Sequence, residues 1–331
     1  MVDLMGKKKY FFILSAVIII AGIVALFVNG LQLDISFQGG TVMDIPLDST
    51  QINQIYKGQT ADQVKNSIIT DAEKITSDTV NKIATAQLSN TYNSKNTTQT
   101  LQVLTVKIAD KQGSLNDADL ANLSTALKAK FKFTQNPSIS NVSPSIGSEL
   151  LKSGVLALVL SSLCIVIYIW IRFRIMSGPS AGVMAVLAMI HDALIMLAVY
   201  TIFKLPVNEA FIAAVLTILG YSMNDTIIIY DRIRENSKLL RKTNISELVN
   251  KSIIQTLNRS INTVVTVLIC LLSILGFSMY YNIVSIKDFI LPLIVGIISG
   301  CYSSIFIASP LWVLWKESQA KKKIRSKPVK A

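Results

Sequence analysis

The sequence predicts a membrane α-helical protein, with six transmembrane helices and an α+β domain inserted on the extracytoplasmic side between the first and the second. Three observations carry this expectation. Of 331 residues, 51% are apolar and only 16% charged, with a mean hydropathy of +0.50, whereas a soluble domain carries about 25% charged residues. Six apolar stretches are each long enough to cross a hydrocarbon core, which takes roughly 20 helical residues. Segment 29–150 is by contrast polar and nearly neutral, with ten lysines against eleven acids and no arginine.

The first span, 10–28, follows Lys7, Lys8 and Lys9. Its apolar run from Phe11 to Val28 exceeds the ~7–15-residue core of a signal peptide, and no small-x-small cleavage site follows, so an uncleaved anchor is expected. The remaining spans are placed at 152–171, 180–203, 207–230, 259–280 and 289–315. A loop over 231–258 is expected between the fourth and fifth, and a basic tail over 316–331.

Loop charge orients the bundle. Arg172 and Arg174 follow the second span; Arg232, Arg234, Lys238, Arg241, Lys242 and Lys251 follow the fourth. The tail holds Lys316, Lys321, Lys322, Lys323, Arg325, Lys327 and Lys330, while the opposite connections carry only Lys204 and Lys287. Positive-inside asymmetry puts residues 1–9 and the tail, hence both termini, in the cytoplasm. The net charge of +12 is then topogenic, and no nucleic-acid partner is expected. Cys164, Cys270 and Cys301 lie in apolar runs without metal or disulfide spacing, and there is a single histidine. No metal and no cofactor is expected.

Within 29–150 the pattern reads strand 33–47, helix 60–70, strand 78–90, strand 99–109, helix 116–132 and strand 138–143. Residues 101–109 alternate at period two, and Asp117 is positioned to cap a helix with Leu120, Leu123 and Leu127 on one face. The order β-α-β-β-α-β is that of a split βαβ unit.

Ionisable groups inside spans cost at least ~2.5–3.5 kcal/mol each and ask for a reason. His191 and Asp192 sit in the middle of the third span, where hydrogen bonding to neighbouring helices is the expected role. Asp225 lies in the fourth and Arg259 opens the fifth. At 100° per residue, Thr217, Tyr221, Asn224 and Asp225 share one arc of the fourth helix. Arg259, Asn262, Thr263, Thr266, Cys270 and Ser273 form a stripe on the fifth. The two stripes are expected to face each other, and two readings stay open: a water-accessible path, or a structural Asp225–Arg259 ion pair. An intramembrane protease built on Asp192 and Asp225 lacks an activated nucleophile, so no enzyme is expected. Gly296, Gly300, Ser304 and Ala308 make a small-residue packing ridge. Phe37, Gly39 and Gly40 mark a tight turn after the first span, and Ser143, Pro144 and Gly147 a rigid elbow before the second.

These residues resemble the SecD/SecF family of Sec protein translocase subunits, over nearly the whole chain. Asp34-Ile-Ser-Phe-Gln-Gly-Gly-Thr41 is similar to the family's Phe-x-Gly-Gly segment, and Val142 to Leu150 to its Val-Gly-Pro-x-x-Gly-x-Glu-Leu segment. Arg172-Phe173 and His191-Asp192 fall at family positions. The most specific stretch runs from Gly220 through Asn224-Asp225 to Asn236, followed by Asn258 to Thr263. Ser143, Asp34 and Ser36 depart from the usual residues, and insertions are expected near 49–60 and 90–98. The resemblance implies half of a resistance–nodulation–division bundle, a ferredoxin-like outer domain, and residence in the bacterial cytoplasmic membrane. It also implies SecD, a SecYEG-type translocon and exported preprotein as partners. Asp225 and Arg259 match positions to which the family's proton coupling is assigned. A small-molecule or lipid exporter half of the same superfamily is the alternative.

Overall fold

The computed structural model describes residues 3–93, 96–110, 113–173, 178–240 and 243–325. Arg174, Arg241, Lys242, Lys327 and Lys330, used above for topology, lie outside the described residues, as does part of the expected 90–98 insertion.

Helix α1 spans Lys8–Asn29 and is followed by a short turn of helix, α2, over Ile35–Gln38. Asp34 caps this turn by accepting from the Ser36 N–H at 3.2 Å, so the strand expected from residue 33 starts only at Gly40. The domain then runs β1 Gly40–Leu47, α3 Ser49–Ile55, α4 Ala61–Val80, β2 Ala84–Asn93, β3 Asn96–Ala109, α5 Asp117–Phe131 and β4 Ser138–Val142. Helix α4, with 20 residues, is nearly twice the expected length and takes the residues to 80 that were assigned to a strand. The Gln63 side chain accepts from the Thr60 N–H at 2.9 Å to start it, and Asn81 ends it with φ of 55°, a conformation asparagine tolerates. Helix α5 is capped by Asn116, whose Oδ1 accepts from the Asp119 N–H at 2.7 Å. Asp117, expected to be the cap, is the first helical residue, where its charge suits the helix dipole.

The four strands are ordered β2-β3-β1-β4, and every neighbouring pair is antiparallel. This is the arrangement of a split βαβ unit. Met43, Ile45, Leu104, Val106 and Ile108 point to one face and pack with Ile68, Ala72, Leu123 and Leu127 of the two long helices. Val42, Asp44, Gln87, Thr105 and Lys107 point to the other face, toward the membrane bundle.

Among the described residues, six helices are long and apolar enough to cross a membrane. After α1 come α6 Pro144–Arg172, α7 Gly178–Ile202, α8 Glu209–Leu239, α9 Ile245–Tyr280, and α10 Val284–Ser303 continued by α11 Ser309–Arg325. A wide π-type stretch, Ser304–Ala308, joins the last two. The expected loop 231–258 is a correction: α8 and α9 continue as a helical hairpin through nearly all of it. Ile233, Leu248, Val249 and Ile253 stay buried there, and polar pairing is added to that burial. Asn236 Nδ2 donates to Ser252 Oγ and Gln255 Oε1, both at 2.8 Å, and Arg172 bridges to Asp231 at 2.9 Å. A hydropathy window ends where charge begins, but a helix does not.

The small-residue ridge on α10 packs as expected. A Cβ on Gly300 would stand 2.9 Å from Ser222 Cβ on α8, and one on Gly296 would overlap Ile218. The elbow residues also converge. A Cβ on Gly39, whose φ is 83°, would lie 2.7 Å from Pro144, and one on Gly147 would lie 2.7 Å from the Phe37 carbonyl oxygen. Chain entry to and exit from the sheet domain are therefore one compact joint, with Gly40 paired to Val142 across β1 and β4.

Candidate functional site

Two carboxylate centres lie along one buried row of helix α8, which supplies Ser222 to the first and Asp225 to the second. Ile218, Ser222, Asp225, Thr226 and Ile229 are all buried on this helix, at the three- and four-residue spacing that defines a helix face.

The first centre surrounds Asp192 on α7, which is 1% exposed. Its Oδ2 accepts from Ser222 Oγ and from Ser303 Oγ, each at 2.7 Å. Its Oδ1 accepts from Ser299 Oγ at 2.7 Å and lies 3.2 Å from His191 Nδ1. The other ring nitrogen of His191 is 2.9 Å from Ser15 Oγ on α1. Ser15 donates onward to the Tyr302 hydroxyl at 3.2 Å, and Tyr302 donates to the Phe11 carbonyl at 2.6 Å. Four helices are thus tied through one carboxylate. Each hydrogen bond to a charged group contributes about 1.5–3 kcal/mol, and several together offset the desolvation of a buried ion. His191 and Asp192 make the hydrogen bonds to neighbouring helices that their sequence position predicts.

The second centre is Asp225, 2% exposed. Its Oδ1 accepts from Ser260 Oγ on α9 at 3.2 Å. Its Oδ2 is buried and has no hydrogen-bond partner among the described residues, and neither has the buried Tyr221 hydroxyl one turn earlier. Arg259 has no carboxylate within 4.0 Å among the described residues; its side chain belongs to the exposed face of α9. The expected ion pair is therefore absent, and the expected facing of the two stripes is a second correction. Thr217, Asn224, Arg259, Asn262 and Thr266 are exposed, with Tyr221 and Thr263 partly so. Thr217, Thr263 and Thr266 turn their hydroxyls back to carbonyls of their own helices at 2.8–2.9 Å. What α9 buries instead is Val249, Ile253, Thr256, Ser260 and Val264. Helical periodicity groups residues on a face; it does not say which face turns inward.

Ser260, Ser222, Ser299 and Ser303 were not singled out from sequence. The available signal was serine at spacing four within an apolar span, as at Ser299 and Ser303, one residue before the recognised ridge.

Residues 122–318, from α5 through the rest of the bundle, match the family model described as "Protein export membrane protein SecD/SecF, C-terminal". The chain belongs to the SecD/SecF family. Within that family it is 33% identical over 326 residues to the protein translocase subunit SecF of Alicyclobacillus acidocaldarius, covering 98% of this chain and 96% of the relative. It is also 33% identical to the protein translocase subunit SecDF of Bacillus subtilis, covering 97% of this chain but 39% of that longer protein. The crystal structure of SecDF from Thermus thermophilus, described as a translocon-associated membrane protein, superposes with a TM-score of 0.71 at 30% identity, over 96% of this chain and 39% of that one. The chain thus spans less than half the length of SecDF and nearly all of SecF. Its membership of the family and its six apolar helices make it a multi-pass membrane protein.

Proposed function

We propose that this chain is an accessory, non-enzymatic subunit of the Sec protein translocase that works with a SecD half and uses the proton-motive force to promote preprotein export. The observation that carries the reading is the buried, unpartnered Oδ2 of Asp225. An ionisable group inside a span marks a proton or ion pathway by default, and this one is held by a single hydroxyl with its other oxygen free of hydrogen bonds among the described residues. Arg259, one position before the serine that holds Asp225, is the cation whose approach or withdrawal biases that equilibrium. A proton crossing ~100 mV releases about 2.3 kcal/mol, sufficient to shift a two-state helix packing.

The SecD partnership rests on the exposed polar stripe. Arg259, Asn262, Thr266, Thr217 and Asn224 are poor surfaces for lipid tails, and a second six-span half placed against α8 and α9 covers them. In the SecDF relatives this unit is fused within a chain more than twice as long. The cytoplasmic location of both termini is supported by Arg172, Arg232, Arg234, Lys251 and Lys316, all at the bundle end that carries the termini. The Leu4 N–H donates there to Asn250 at the start of α9. The exporter alternative gains nothing from the cleft between domain and bundle, whose lining includes Asp34, Asp44, Lys107, Glu209 and Asp288.

Export of a preprotein into inverted membrane vesicles tests the reading. Asp225→Asn, at wild-type abundance and with SecD still co-purifying, is expected to lose the stimulation that depends on the proton-motive force. Full stimulation in that variant refutes proton coupling through this chain.

A further inference from the structure

The sheet domain meets the bundle at opposite edges of the sheet, and between these edges Lys107 of β3 pairs at 2.7 Å with Asp34, whose N–H donates to the Val207 carbonyl of the bundle. One edge holds the joint at Gly39, Gly40 and Pro144, where β1 and β4 enter and leave. The other lies at β2, the far edge in the order β2-β3-β1-β4. Strand spacing of ~4.8 Å separates these edges by about 14 Å.

An exposed sheet edge presents unpaired N–H and C=O groups. On β2 the Leu88 carbonyl and the Asn90 N–H, two residues apart, share that edge. A single residue from the bundle satisfies both. Asn282, in the turn between α9 and α10, donates its Nδ2 to the Leu88 carbonyl and accepts the Asn90 N–H on its own carbonyl at 3.4 Å. Its Oδ1 also accepts from Lys65 Nζ of α4 at 2.6 Å. Asn282 holds φ of 53°, a left-handed conformation that presents side chain and carbonyl to the same strand.

Between the joint and this contact lies a cleft of about 560 Å³. Its roof is the polar face of the sheet, with Asp44 and Lys107, and its floor is the bundle rim, with Glu209 and Asp288. Further clefts of about 330 and 460 Å³ flank Asn282 itself. The grip at the β2 edge is therefore a few hydrogen bonds bordered by open space, not a packed apolar interface.

We infer that the sheet domain is a lid over this cleft, hinged at Gly39, Gly40 and Pro144 and latched at the β2 edge by Asn282. The latch sits just past the end of α9, the same helix that holds Asp225 through Ser260. From Ser260 to Tyr280 is about 30 Å of continuous helix, so an axial or rotational shift at Ser260 displaces the turn that carries Asn282. What releases the latch rests on the proton-coupling reading above; the lid and latch stand on the contacts alone.

Spin labels on a cysteine-free full-length chain in complex with SecD test the lid. Labels go at Ser77→Cys on α4 and Phe203→Cys on the bundle, both exposed positions. Asn282→Gly keeps the left-handed backbone and removes only the side chain, and Lys65→Met removes only the ammonium. With Asn282 intact a single narrow distance distribution is expected, and Asn282→Gly should add a longer population, with Lys65→Met between the two. A disulfide between Asn90→Cys and Asn282→Cys should abolish the longer population and, in the vesicle assay, reduce export at least tenfold, reversibly on reduction. Distances in Asn282→Gly identical to those with Asn282 intact overturn the latch. If the distances lengthen but the oxidised disulfide exports normally, the latch stands and its release is no step of export, while Asp225→Asn alone decides the proton-coupling reading.

Discussion

Ser260, and not its neighbour Arg259, holds the Asp225 carboxylate: the hydroxyl donates at 3.2 Å while the guanidinium lies on the exposed face of the same helix. One step along α9 separates a buried anchor from an exposed cation. The acid is therefore positioned by a neutral group, and its second oxygen is left without a hydrogen bond among the described residues.

Arg259 should matter to function far more than to folding. Exposed substitutions usually change stability by no more than about 0.5 kcal/mol. Arg259→Ala is expected to accumulate and purify like wild type, yet to lose stimulation of export under a proton-motive force, while Arg259→Lys retains part of it. Comparable loss of protein and of activity would instead mark a structural residue.

Asp192 should behave in the opposite way. Asp192→Ala leaves Ser222 and Ser299 without their acceptor and Ser303 with only the Gly300 carbonyl at 3.2 Å, and each buried unsatisfied group costs about 1–3 kcal/mol. A marked drop in the thermal unfolding midpoint in detergent is expected, with Ser303→Ala intermediate. Asp192→Asn, which keeps one carbonyl acceptor, should fall less than Asp192→Ala.

Gly147 is fixed by space. A methyl group there meets the Phe37 carbonyl at 2.7 Å, so Gly147→Ala must push α6 off the joint, at a cost of about 1–3 kcal/mol for overpacking. Gly58, whose Cβ would meet nothing within 4 Å but whose φ is +84°, should lose about 1 kcal/mol or more from backbone strain alone. Chemical denaturation of the two alanine variants separates the mechanisms, because only Gly147→Ala should also alter protease access near the elbow.

The sheet domain carries its own acid sensitivity. Burial acts to raise the Asp71 carboxyl, but hydrogen bonds from Lys130 at 2.9 Å and Tyr56 at 2.7 Å outweigh it and hold the group below its ordinary range. A carboxylate depressed in the folded state contributes stability that is complete above its unfolded value, about 3.9, and is lost as pH falls through the folded value. Unfolding midpoints should therefore decline below about pH 4, and Asp71→Asn should flatten that decline while lowering stability at neutral pH.

The order of elements was legible because it depends on local pattern. Apolar runs located six spans, period-two alternation located β3, and glycines next to Phe37 and Pro144 located the joint. The length of α8 and α9 was not, since a helix whose polar end is satisfied by Asn236, Ser252 and Gln255 outlasts its hydropathy signal. Asp225, His191 and Asp192 stood out in sequence because charge in an apolar span is conspicuous. Ser260, Ser222, Ser299 and Ser303 did not, because a serine hydroxyl satisfies itself on its own helix in most spans.

By itself, then, the sequence determined the class of the protein, its span count, its family and the carboxylates to watch. Only the tertiary structure decided that Asp192 is saturated with donors and Asp225 is not, that Arg259 faces outward, and that Asn282 closes the far edge of the sheet. The physical reason is range. Burial of apolar runs and backbone propensity act over a few residues, whereas the state of a buried carboxylate depends on hydroxyls 30 to 111 residues away in the chain, which only the packing of helices brings within 3.2 Å.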